Sequence, residues 1–165
     1  MNLRAAIVPV ADREVGVAED PAGSNCGPRV NQYKAATWLD ASLAWPWCAA
    51  FIDWVVLEAM KLTGVGETLT FQRPRTAGAW DLENWSLNQD NSTWLKKPHR
   101  NDIQPGDLII YKFSHCGIAT STPTASGYVH VIEGNTNSKG SREGGAVMEK
   151  KRHVSEIRSR IRFRV

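Results

Sequence analysis

The chain has 165 residues, which suits one domain of ordinary size but would cramp two independent hydrophobic cores. Hydrophobic residues make up 42% of the sequence and charged residues 22%, and no window reaches the roughly 18 consecutive apolar residues of a membrane-spanning helix. The formal net charge is only +3. These values predict a single globular domain, 1–165, that does not insert into membranes.

The N-terminal stretch "MNLRAAIVPVADREVG" is apolar but is interrupted by Pro9 and followed by charged residues. It lacks the small-residue cleavage pattern of a secretory signal. We therefore expect synthesis in the cytoplasm without a signal peptide. A protein of this kind that works outside its host cell would need another route of release.

Three helices are predicted in the first half of the chain. "GPRVNQYKAATWL" has apolar residues near helical spacing after Pro28, and "RTAGAWDLENWS" indicates a shorter helix. Between them, "WCAAFIDWVVLEAMKLTG" has a broad apolar face and a stop at Gly64. This central helix begins just after Pro46, so Cys48 is predicted to lie in its first turn.

The second half is predicted to consist of strands separated by turn residues. The strand segments are "QPGDLIIYKF", "HCGIAT", "GYVHVIEG", "GAVMEKKRHV" and "IRSRIRFRV". The stretch "LNQDNSTWLKKPHRNDI" before them is interpreted as a connecting segment. The predicted fold is α+β, with N-terminal helices packed on a C-terminal antiparallel sheet.

Basic residues are concentrated at the C-terminus, in "MEKKRHVSEIRSRIRFRV". Two interpretations stay open. The cluster could favour approach to a polyanion such as nucleic acid, lipid headgroups or an anionic cell wall. Alternatively, the alternating arginines are the solvated face of an edge strand.

Cys48 is either a buried core residue or a nucleophile. The unpaired N–H groups and the dipole at a helix N-terminus stabilise a thiolate and lower the pKa of a cysteine. The odd number of cysteines, Cys26, Cys48 and Cys116, leaves at least one thiol free in a monomer. Their spacing matches no zinc motif, so we expect no structural metal site and no cofactor.

The hairpin formed by "HCGIAT" and "GYVHVIEG" supplies a candidate base. A register that pairs Thr120 with Tyr128 also pairs His115 with Glu133 on one face, with Asn135 within diagonal reach. A base held by a polar group and presented to a thiolate is the arrangement of cysteine nucleophilic catalysis.

The remaining histidines and cysteines fit structural roles. His99, His130 and His153 are interpreted as residues outside the site. In this register Cys116 points away from His115 and is interpreted as a small buried hydrophobe, whereas Cys26 lies in a turn-like loop and is a candidate for incidental oxidation.

The motifs "PWCAAFIDW", "IQPGDLIIYKFSHCGIAT" and "GYVHVIEGNTN", in this order, resemble the CHAP domain, the cysteine, histidine-dependent amidohydrolase/peptidase module of the papain-like NlpC/P60 group. "EVGVAEDPAGSNCGPRVNQY" and "RPRTAGAWDLENW" resemble small single-domain forms from phage and bacterial genomes. The resemblance implies a phage endolysin type of peptidoglycan hydrolase. Its roles would be Cys48 as nucleophile, His115 as base and acid, Glu133 as orienting group and Asn135 as a further polar member.

The resemblance also implies a substrate, peptidoglycan, cut at an amide between muramic acid and L-alanine or within the stem peptide or cross-bridge. Only Asp40 stands where some family members carry an acidic calcium loop, so we expect no metal. Candidate substrate-binding residues are Trp45 and Trp47, which could instead be core, and Glu19 and Asn25 in the N-terminal loop.

We expect a monomer that does not bind nucleic acid and reaches the wall through phage lysis, a virion or a secretion system. Two other functions stay open. One is a papain-like amidase or protease acting on an amide outside peptidoglycan, and the other is a non-catalytic wall-binding module.

Overall fold

The computed structural model describes residues 1–137, 139–140 and 144–165, and within them it contains four α-helices and one six-stranded antiparallel sheet. The helices are α1 Leu3–Asp12, α2 Pro28–Lys34, α3 Cys48–Thr63 and α4 Asp81–Ser86. The strands are β1 Ser92–Lys96, β2 Leu108–Tyr111, β3 Cys116–Ala119, β4 Tyr128–Thr136, β5 Ala146–His153 and β6 Ile157–Phe163. The predicted α+β class, with N-terminal helices and a C-terminal antiparallel sheet, is confirmed. No described helix has the length and apolar character needed to cross a bilayer.

Helix α1 is absent from the sequence-based prediction because Pro9 stands inside it. A proline in a helix leaves the carbonyl four residues earlier without its usual donor. Here that carbonyl belongs to Ala5, and both residues lie on the exposed side of the helix, where water can supply the hydrogen bond. The opposite side carries buried residues at helical spacing and packs against α3.

Helix α3 is the element around which the core is built, and it begins and ends as its sequence predicts. It starts at Cys48, two residues after Pro46, and ends where Gly64 adopts a left-handed conformation with φ 71°. Its buried face packs against α1 and α2 on one side and against β3 and β4 on the other. The first residue of the helix is thereby held against the sheet.

The strand order is β1-β6-β2-β3-β4-β5, with antiparallel neighbours throughout. The predicted register of β3 and β4 is wrong by two residues, because Ala119 pairs with Val131 and not with Val129. A shift of two residues keeps every side chain on its predicted face. His115 and Glu133 therefore still share a face, as diagonal neighbours.

Strand β6 lies inside the sheet, between β1 and β2, so the interpretation of its arginines as a solvated edge is wrong. Strand β1, which the prediction treated as connecting segment, covers it. The arginines of β6 are also engaged by other groups. Arg162 makes two hydrogen bonds of 2.7 Å to Asp107, and Arg158 pairs with Glu83 at 3.0 Å. These side chains are not a free cationic surface for a polyanion.

Gly134 sets the distance between β4 and the start of α3. A Cβ at this position would lie 2.7 Å from Cβ of Phe51 and 3.0 Å from Cζ3 of Trp47. Such distances are shorter than carbon atoms tolerate. The absent side chain is what lets β4 contact the helix directly beside Cys48.

The substitution Gly134→Ala is expected to lower the free energy of unfolding by about 1–3 kcal/mol, because the new methyl group would force β4 away from α3. Gly66→Ala is the matched control, since a Cβ there meets no atom within 4 Å. Urea unfolding of both variants measures the difference. Equal unfolding midpoints for the two variants would contradict the proposed close contact.

Candidate active site

Cys48 is the first residue of α3 and is 6% exposed. The neighbouring Cys116 thiol, the His115 imidazole and the N–H of Ala49 hold the pKa of Cys48 well below its ordinary value, against burial, which raises it. The position at the start of a helix acts in the same direction. Cys48 is thus a thiol in surroundings that favour its thiolate.

His115 stands immediately before β3 and is fully buried. Its Nε2 lies 2.9 Å from Oε2 of Glu133, so Nδ1 is the ring nitrogen left for the Cys48 thiol. Burial lowers the pKa of His115, but interactions with Cys48 and Glu133 outweigh it and raise the pKa to about 9. Near neutral pH, the arrangement therefore favours a thiolate on Cys48 and an imidazolium on His115.

Glu133 is also held by Arg152. Nε of Arg152 donates to Oε1 at 2.7 Å and Nη2 donates to Oε2 at 2.8 Å, a bidentate pair in which the carboxylate is fully buried. Burial raises the pKa of Glu133, but the hydrogen bonds from Arg152 and His115 lower it to about 2. The carboxylate stays ionised and faces His115 in one orientation.

Aromatic rings enclose this ion pair. The rings of Tyr111 and Phe113 stack on His115, with centroids 5.8 and 5.9 Å from that of the imidazole. The guanidinium of Arg152 lies 5.0 Å from the Tyr111 centroid and 5.2 Å from that of Phe113. A Cβ on Gly117 would lie 2.9 Å from Cγ of Glu133, so the glycine leaves the space that the carboxylate occupies.

Asn135, two residues beyond Glu133, is 1% exposed and has a left-handed backbone with φ 54°, at an irregularity in the pairing of β4 with β5. It lines a cleft of about 280 Å³ together with Glu19, Asn25 and Pro46. The structure thus places two of the predicted substrate-binding residues, Glu19 and Asn25, in one cleft whose lining includes Pro46, two residues before Cys48.

Trp45 and Trp47, both predicted to contact the substrate, differ in how far they are buried. Trp47 is fully buried, packs on Tyr33 and donates a hydrogen bond from Nε1 to Oε1 of Glu19, so its ring offers no face to a substrate. The prediction for Trp47 is wrong because the residue before Cys48 is part of the core. Trp45 is half-buried, with Nε1 donating to the carbonyl of Asp40.

Two contributors are missing from the sequence-based site. The sequence places Arg152 only among the C-terminal basic residues, because nothing local reveals that β5 pairs with β4, with Arg152 opposite Val129 and within reach of Glu133. Cys116 is buried as predicted, yet it belongs to the same buried cluster as Cys48 and lowers the pKa of that thiol, so it is more than an inert hydrophobe. Within the described residues, no group of three or more His, Cys, Asp or Glu side chains is arranged to hold a metal ion.

The other histidines lie outside the site. His130 and His99 are exposed, and the His153 ring bonds to Ser155 and to the carbonyl of Ser126. In the part of the chain that the structure describes, His115 is the one histidine whose ring bonds to a buried carboxylate, and its Nδ1 has no hydrogen-bond partner there.

The substitution Arg152→Met is expected to destabilise the fold by about 3–5 kcal/mol, because it leaves the buried Glu133 carboxylate without its cation. Lys61→Met, which removes an exposed pair with Glu58, should cost less than about 1 kcal/mol. Adding Glu133→Gln to Arg152→Met should recover part of the loss. Urea unfolding of the four proteins tests this, and a double variant no more stable than Arg152→Met would contradict it.

Neither the protein-family models nor the curated proteins include a match to this chain. Among solved structures, the crystal structure of the wild-type endolysin LysIME-EF1 is similar, with a TM-score of 0.56 and 17% sequence identity. The alignment covers 98% of this chain and 64% of that one, so this chain spans just under two thirds of the endolysin's length. At this identity the likeness establishes a shared α+β fold.

Proposed function

We propose that the chain is a cysteine hydrolase of the CHAP type that cleaves an amide bond in bacterial peptidoglycan. The observation that carries the proposal is the buried series Cys48, His115 and Glu133. The Glu133 carboxylate orients the imidazole through Nε2 at 2.9 Å, which leaves Nδ1, without a hydrogen-bond partner among the described residues, for a thiol of lowered pKa. A protein that only binds cell walls has no need of such a series.

Acylation begins with the thiolate. Cys48 Sγ attacks the amide carbonyl, and a tetrahedral intermediate forms with negative charge on the former carbonyl oxygen. The N–H of Cys48 is unpaired within the helix because it belongs to the first turn, so it can donate to this oxygen. His115, protonated and held by Glu133, gives its proton to the leaving amine as the C–N bond breaks.

Deacylation uses the same histidine in the opposite sense. His115, now neutral, takes a proton from water as the water oxygen attacks the thioester carbonyl. Collapse of the second intermediate expels the Cys48 thiolate and releases the carboxylic acid product. The two steps restore the thiolate–imidazolium pair.

The substrate class rests on two further supports. The motifs around the three residues resemble those of CHAP peptidoglycan hydrolases, and a protein named as an endolysin shares the fold. The bond would lie between muramic acid and L-alanine, or within the stem peptide or cross-bridge. The enzyme would act on the wall after release through phage lysis, within a virion or by a secretion system.

Digestion of purified peptidoglycan from several bacteria should release fragments with new amino termini, detected by mass spectrometry. If the muramoyl amide is the bond cut, these are stem peptides that begin with a free L-alanine amino group. Cys48→Ala and His115→Ala should each abolish release while the proteins remain folded, because one removes the nucleophile and the other the proton-transfer group. Glu133→Gln should retain more activity than either, since an orienting group contributes less.

The control is His130→Gln, which alters an exposed histidine outside the site and should digest walls at the wild-type rate. Undiminished release by purified Cys48→Ala would refute the cysteine mechanism. Release by no form of the protein from any wall, together with cleavage of a different amide, would move the assignment to a papain-like amidase or protease.

A further inference from the structure

The cleft lined by Pro46 and Asn135 contains one carboxylate among its described lining residues, Glu19. The cleft has a volume of about 280 Å³, and its other described walls are neutral. They are Gly23, Asn25, Pro46, Asn135 and Gly145. Whatever group binds beside Glu19 therefore meets negative charge and amide dipoles.

Glu19 is fixed in position by a small number of hydrogen bonds. Its Oε1 accepts from Nε1 of Trp47 at 2.9 Å, and its backbone N–H donates to the carbonyl of Gly145 at 2.8 Å. The residue is 8% exposed. Because Trp47 immediately precedes the nucleophile, this anchoring fixes the carboxylate relative to Cys48.

Glu19 lacks the cation that other buried carboxylates have. Glu14, Glu83, Asp107 and Glu133 are each paired with an arginine. No lysine, arginine or histidine of the described chain is hydrogen-bonded or ion-paired with Glu19.

Asp53 likewise has no ion pair among the described residues, and both of its carboxyl oxygens lack a hydrogen-bond partner there. Burial raises its pKa, and it is 0% exposed, so no ligand can reach it. An uncompensated carboxylate in a partly desolvated cleft is unfavourable until a positive group binds there.

The second carboxylate oxygen of Glu19 is open for such a group. A Cβ built on Gly145 would lie 3.2 Å from Oε2, closer than most side-chain contacts. Glycine at this position leaves Oε2 uncovered on the side of the cleft.

We propose that Glu19 binds an ammonium group of the substrate, so that the enzyme selects amides that have a free amino group close to the bond that is cut. The inference rests on the proposed function and adds the chemical class of the group bound beside the nucleophile. Peptide parts of cell walls supply such groups as free α-amino termini and as side chains of diamino acids. A salt link of this kind, shielded from water, discriminates strongly against the neutral form.

The test compares two preparations of one wall that the wild-type enzyme digests, one untreated and one in which acetic anhydride has converted the free amines to neutral amides. Acetylation should slow the wild type by about ten- to a hundredfold, the range expected for loss of a charged hydrogen bond. Glu19→Gln, which keeps an acceptor for Trp47 but carries no charge, should digest both preparations at similar low rates. Glu149→Gln, a change at an exposed carboxylate, should behave as wild type.

The ratio of the two rates is taken within each variant, so it does not depend on how much of a variant is correctly folded. Gly145→Ala is a second test of the site. Its added methyl group partly covers Oε2, so the ratio of the rate on the untreated wall to the rate on the acetylated wall should fall although the carboxylate remains. Equal wild-type rates on both preparations, or an undiminished ratio in Glu19→Gln, would overturn the ammonium site and leave the hydrolase proposal standing. Digestion of neither preparation of any wall would overturn the proposed function, and this inference with it.

Discussion

The ionised carboxylate of Glu133 has no contact with solvent, and the surrounding residues are arranged to compensate its charge. Arg152 supplies two hydrogen bonds and His115 a third, while Tyr111 and Phe113 pack over the pair. Because an unpaired buried charge costs several kcal/mol, removing the groups that compensate it lowers the free energy of unfolding. Cys48 and the Glu133 carboxylate together raise the pKa of His115 to about 9, and the resulting imidazolium favours the thiolate of Cys48.

The two halves of the chain contribute different parts of the site. Helix α3 presents the thiol. The imidazole stands immediately before β3, the carboxylate lies on β4 and the guanidinium on β5. Their alignment depends on the contact between Gly134 and the first turn of α3, where no side chain separates the backbone of β4 from Phe51 and Trp47. Trp47 extends this junction to the N-terminal loop through Glu19, so the cleft and the nucleophile share one rigid support.

The sequence predicts those features that depend on local periodicity. The start of α3 follows from Pro46 and its end from Gly64, and the shared face of His115 and Glu133 survives a two-residue error in register because side chains alternate with period two. Features that depend on distant partners are not predictable in this way. Helix α1 tolerates Pro9 only because that side faces solvent, and the arginines of β6 and Arg152 acquire buried partners from elsewhere in the chain.

The pH dependence of alkylation of Cys48 by iodoacetamide, followed peptide by peptide with mass spectrometry, tests most directly whether the buried ion pair creates a thiolate. The rate should already be near its maximum at neutral pH, with an apparent pKa well below the value of about 8.5 that is ordinary for cysteine. In Glu133→Gln the pKa of His115 should fall, and that of Cys48 should rise, because the imidazolium that stabilises the thiolate has lost its carboxylate. Alkylation of wild-type Cys48 with an apparent pKa near the ordinary value, unchanged in Glu133→Gln, would contradict the account.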